Sequence, residues 1–177
     1  MGNHEAYCLD LLPHDEASGM SAGEVAHHDW VRAALGPSLR EVVARWPWLL
    51  EEQCNGQRVA FMHYALDDSG RDFAPFVHHP SAPTLDPLFA RYRADLAFYG
   101  HNHAASDVQG QGRYINPGSL GCGEVPVARF ITLDIGDDGA YTLVKHAVPY
   151  DDAALLQAFD ERDVPDRDFI RHAFFTR

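Results

Sequence analysis

Three short segments gather most of the side chains that do chemistry in this sequence, which carries eleven histidines in 177 residues. Gly2-Asn3-His4-Glu5 stands near the start, His63 follows an apolar run, and Gly100-His101-Asn102-His103 follows a second such run. Each alone is a weak signal. A lone His is more often a hydrogen-bonded structural residue than a ligand, and Asn-His in a loop is usually a turn. The His101-x-His103 spacing is stronger, because alternating residues present both imidazoles to one side. Together, imidazoles and an amide oxygen suit a divalent transition metal; manganese, iron and zinc all fit such a donor set. Two ions about 3.5–4 Å apart suit phosphoester hydrolysis, because they clamp the attacking and leaving oxygens.

Those segments need strands that end beside one another. Residues 58–63 and 95–99 read as short buried strands and 113–115 as a third, with Asn55-Gly56, Gly100 and Asn116-Pro117-Gly118 as turn signals. Residues 129–135 and 141–148 read as a hairpin across Gly136-Asp137-Asp138-Gly139. Ser21-Ala22-Gly23-Glu24 is a capping box for a helix running to Leu35. A second helix follows Pro37 on Leu39, Val42, Val43 and Trp46, and Pro47 ends it. Residues 84–94, 151–160 and the segment from Pro165 read as further helices, and 67–83 as a long loop. This order predicts an α/β fold with a mixed sheet, as one domain over residues 1–177. In open α/β sheets ligands gather at the carboxyl ends of strands, where His63, His101 and His103 fall.

The net charge of −12, 14 basic against 26 acidic residues, is the reverse of what tracking a nucleic-acid backbone requires. No apolar run exceeds five residues, so neither a membrane span nor a signal peptide is expected. Cys8, Cys54 and Cys122 are odd in number and widely spaced, which predicts reduced thiols and a cytoplasmic location. The other histidines take bland readings: at most one of His27 and His28 faces a core, and His78 and His79 decorate the long loop.

In order and spacing, Gly2-Asn3-His4-Glu5, His63, Gly100-His101-Asn102-His103 and Asn116-Pro117-Gly118-Ser119 resemble the motifs of the calcineurin-like metallophosphoesterase superfamily. The likeness is to its small bacterial members, whose C-terminal pattern is similar to Val148-Pro149-Tyr150-Asp151 followed by two short helices, so it covers nearly the whole chain. The resemblance implies an αββα sandwich of mixed sheets flanked by helices. It implies a hydrolase acting on phosphomono- or phosphodiesters, in which a hydroxide held between two divalent metals attacks phosphorus. Residue by residue, it assigns Asn3, His63 and His101 to one metal and His103 to the other. His4 becomes the proton donor or transition-state stabiliser at the departing oxygen, and Glu5 its support. The implied partner is a small phosphoester. Asn116-Pro117-Gly118-Ser119 is expected as a structural turn near the site.

The family's Asp-x-His and Gly-Asp-x-x-Asp motifs, which supply two ligands to the first metal and the carboxylate bridging both, are missing from this sequence. Asp67-Asp68, Asp137-Asp138 and Asp151-Asp152 fall in turn or surface contexts and do not replace them. The favoured expectation is that Met1 is an internal methionine of a longer protein. The others are a homodimer or a complex with a separate partner that hides the exposed strand edges, and a non-catalytic interaction module. A smaller departure is Tyr64, which follows His63 where the family usually has Gly; it either narrows the site or turns away and packs.

Overall fold

In chain order, residues 1–175 of this computed structural model form α1 (Asn3–Cys8), α2 (Ala22–Val43), β1 (Leu49–Cys54), β2 (Gln57–Met62), α3 (Ala82–Phe89), β3 (Leu96–Phe98), β4 (Ser106–Gln109), β5 (Arg113–Asn116), β6 (Val127–Ile135), β7 (Tyr141–Pro149), α4 (Ala153–Glu161) and α5 (Arg167–Phe175). They divide into two units: Pro47–Gly121 with Val127–Val148, and Met1–Trp46 with Cys122–Pro126 and the described residues from Pro149 onward.

The first unit is a mixed sheet with the order β1-β2-β3-β5-β4, accompanied by the two-stranded β6–β7 ribbon. Its three central strands are parallel, and the two edges run antiparallel to them. Period-two alternation divides the apolar residues between its faces. Val59, Leu96 and Ile115 turn to one side and pack against Ile131, Leu133, Ile135, Tyr141 and Leu143 of the ribbon. Ala60, Met62, Ala97, Tyr99 and Tyr114 turn to the other, where Leu85 and Phe89 of α3 cover them. The chain is therefore α/β, with helix, sheet and ribbon layered in this unit.

Two strands lie outside the sequence expectation. β1 is exposed along nearly its whole length, so Leu49-Leu50-Glu51-Glu52-Gln53-Cys54 shows no alternation. It forms because Asn55 and Gly56, at φ 47 and 86, make the two-residue turn that folds it back on β2. β4, Ser106-Asp107-Val108-Gln109, is a short polar edge held by pairing with β5. The expected helix over 84–94 starts at Ala82 and tightens into a 3-10 turn at Ala90–Tyr92.

In the second unit, Ser21 and Glu24 form the expected capping box at the start of α2. Gly36, at φ 65 and ψ 173, breaks α2 into the two expected helices before Pro37. Its second half stops at Val43, short of Trp46 and Pro47. The reading of Gly2 to Glu5 as a loop is corrected: Asn3, His4 and Glu5 are the first turn of α1. Glu5 reaches back so that its carboxylate accepts the Gly2 N–H at 2.8 Å, and Ala6 and Cys8 bury its inner side. α1 is tied to α2 by the carboxylate of Asp10, which accepts from Arg32 and, at 3.5 Å, from Arg40.

Candidate metal and phosphoester site

Parallel order in β2, β3 and β5 puts three carboxyl ends side by side, and the candidate segments leave from them. His63 follows β2, Gly100 to His103 follow β3, and Pro117 to Ser119 follow β5. Backbone bonds stitch the three exits: Gly100 N–H donates to the His63 carbonyl at 2.8 Å, and Tyr99 N–H to the Ile115 carbonyl at 2.9 Å.

Within this cluster His63 Nε2 and His101 Nδ1 stand 3.1 Å apart, with their rings nearly perpendicular at 82°. At that separation one ring N–H can donate to the other's lone pair. It is also the separation of two nitrogens bound to one cation, since ligands about 2.1 Å from a metal at right-angle to tetrahedral geometry lie about 3.0–3.4 Å from each other. The pair thus has the spacing of two donors to one divalent ion. Among the described residues no group of three or more His, Cys, Asp or Glu side chains converges as a metal-holding cluster, so the pair supplies two donors and no carboxylate bridge. His103 lines the same cavity. Desolvation lowers its pKa below the ordinary value; the residue is nevertheless exposed, so water still reaches it.

His101 sits at φ 65, in the left-handed region that a side chain other than Gly or Asn seldom adopts. Such a conformation costs on the order of 1 kcal/mol and persists where the surroundings determine it. Asn116 is the main determinant. It is 2% exposed, and its Nδ2 donates to the carbonyls of Asn102, at 2.6 Å, and Gly100, at 3.4 Å, while its Oδ1 accepts the Gly118 N–H. The motif expected as a structural turn is such a turn, and its first residue holds the histidine loop in shape. Asn116→Ala is expected to lower stability by about 1–3 kcal/mol, because it strands the half-buried Asn102 carbonyl and the Gly118 N–H. Urea denaturation measures the loss, and hydrogen exchange should show it concentrated at residues 100–104.

Aromatic rings from the long loop surround the pair. Phe73 lies 5.5 Å from His63 and 6.2 Å from His101, and Phe76 lies 5.1 Å from His101, between ring centroids. Sequence reasoning passed over both. The loop reaches the site through these phenylalanines, while His78 and His79 are exposed. The signal was there as two aromatics in an otherwise polar stretch. Tyr64 packs: it is 1% exposed, and its hydroxyl accepts the Val77 N–H at 2.9 Å.

In the other unit, Asn3 is half-buried and His4 exposed. The His4 ring lies 5.0 Å from that of His28 and 6.0 Å from that of Tyr7. Of His27 and His28 only His28 is fully buried, at 6% exposure.

No family model matches this sequence, and no curated protein does. Among solved structures, the hypothetical protein PH1004 from Pyrococcus horikoshii OT3 is similar over 99% of this chain and 71% of its own, with a TM-score of 0.76 at 14% identity. At that identity the likeness shows the fold alone. Vps29 from Chaetomium thermophilum is similar over 63% of this chain and 65% of its own at 12% identity, with a TM-score of 0.35, too low to carry an argument. Among the described residues no helix is long and apolar enough to cross a membrane.

Proposed function

We propose that this chain is a divalent-metal-dependent phosphoesterase of the calcineurin-like type, hydrolysing a small phosphomono- or phosphodiester. The observation that carries the reading is the His63–His101 pair, 3.1 Å between nitrogens, on a left-handed His101 at the carboxyl ends of adjacent parallel strands. His63 and His101 would hold the ion, and the resemblance adds His103 as a ligand. A bound divalent ion, manganese, iron or zinc, supplies Lewis acidity to a phosphoryl oxygen and acidifies a water. The chain's own part is to fix the imidazoles: the Asn116 amide holds the loop carbonyls, and Phe73 and Phe76 flank the rings.

The second reading, a non-catalytic interaction module, is favoured by one observation: no three metal-binding side chains converge among the described residues. Hydrolysis of bis-p-nitrophenyl phosphate with manganese added, against a His101→Ala control, separates the two. Activity that vanishes in the control supports the enzyme; silence from the unaltered chain supports the module.

A further inference from the structure

We infer that Arg129 grips the phosphoryl oxygens of the ligand, and that the histidine cavity takes an organic phosphoester whose apolar part rests against Phe61 and Phe98. This deepens the phosphoesterase reading and rests on it for the role of the ligand.

Charge distribution is the first argument. The chain has 26 acidic residues, yet among the described residues no carboxylate lines the cavity of about 680 Å³ that holds His63, His101 and His103. Among those lining residues Arg129 carries the formal charge. Several other basic side chains are engaged. Arg113 and Lys145 hold the Asp107 carboxylate at 2.8 and 2.7 Å, which keeps Asp107 at a pKa of about 2, Arg113 being the larger influence. Arg32 and Arg40 hold Asp10, and Arg167 and Arg171 hold Asp160. Among the described residues the half-buried Arg129 guanidinium makes no ion pair and no hydrogen bond. A guanidinium with its donors uncommitted, on a residue that lines the histidine cavity, matches the oxygens of a phosphoryl group in fork geometry.

Placement is the second argument. The Arg129 N–H donates to the Ser119 carbonyl at 3.0 Å, which fixes the start of its side chain at the turn Asn116 organises. Gly118, at φ +90, lets the stem pass: a Cβ there would stand 3.1 Å from Arg129 Cδ. The same turn therefore shapes the histidine loop and seats the arginine.

The apolar wall supplies the third. Phe61 and Phe98 stack with centroids 5.1 Å apart and planes within 14°. Phe61 remains 39% exposed and Leu120, on the same wall, 65%. A phosphate alone leaves that surface in water, whereas a phosphoester covers it, and the volume is that of an ordinary small-molecule site.

The test uses the chain stripped of metal with chelator, titrated calorimetrically with inorganic phosphate and, separately, with phenylphosphonate. Both are expected to bind, phenylphosphonate about tenfold more tightly for the apolar area it covers. Arg129→Gln, which keeps the stem over Gly118, is expected to weaken both by about tenfold or more, and Arg129→Lys to restore part of the loss. Lys145→Gln should leave both unchanged. Binding to Arg129→Gln equal to that of the unaltered chain overturns the role of Arg129, and equal affinity for the two anions overturns the ester. Because no metal is present, either failure leaves the His63–His101 ion site to stand or fall on its own experiment.

Discussion

Replacing His101 with Ala is expected to remove manganese-dependent hydrolysis of bis-p-nitrophenyl phosphate, by about a thousandfold or more. The magnitude follows from what a bound ion would do: its charge would stabilise the phosphoryl transition state by several kcal/mol, and each 1.4 kcal/mol is about tenfold in rate. His101 contributes one nitrogen of a pair 3.1 Å apart, so its loss leaves His63 as a lone imidazole, which on the proposed function cannot chelate. His4→Ala is expected to behave differently, slowing turnover by about a hundredfold, the scale of general-acid catalysis, with metal content nearly unchanged. Steady-state rates together with metal analysis of the dialysed variants read both. If His4→Ala loses the metal, its assigned role is wrong; if His101→Ala keeps both metal and rate, the site lies elsewhere.

The second large effect is acid lability set by His28. Its ring is 6% exposed. Burial first, then the neighbouring His4, His27 and His14, hold its pKa down at about 4, with Glu24 opposing them. Tyr7 covers the remaining side at 4.8 Å. The folded chain therefore keeps His28 neutral where the unfolded chain, with a pKa near 6.5, already binds the proton. The stabilisation is complete above about pH 6.5 and drains away as pH falls through 6.5 toward 4, amounting to about 3 kcal/mol. Denaturant midpoints at pH 7.5 and 4.5 should separate by that amount more in the unaltered chain than in His28→Leu. Equal pH dependence in the two would place the acid sensitivity in other groups.

What the sequence disclosed and what it hid divide along physical lines. The central strands were legible because Val59-Ala60-Phe61-Met62 and Leu96-Ala97-Phe98-Tyr99 send apolar residues to both faces and read as continuous apolar runs. Their carboxyl ends followed, and with them the meeting of His63 and His101. The Ser21 capping box and the Gly36-Pro37 break were legible because each is a local backbone requirement. β1 and β4 were not, because edge strands are exposed and owe their conformation to a neighbour. α1 has only six residues, too few for a period, and declares itself only through the Glu5 carboxylate on the Gly2 amide. Asn116, Phe73, Phe76 and Arg129 act through tertiary contacts with residues distant in sequence, which no local pattern encodes. The proposed histidine ligand roles came from motif likeness; the left-handed His101 and the amide that holds its loop came from the structure.

The central claim is that His63 and His101 chelate one divalent ion. Equilibrium dialysis against manganese, on the unaltered chain and on His63→Ala and His101→Ala separately, tests it without depending on any substrate. The account predicts that the unaltered chain retains manganese and that each substitution alone releases it, with circular dichroism showing all three folded. Retention by both variants, or no retention by the unaltered chain, would contradict it.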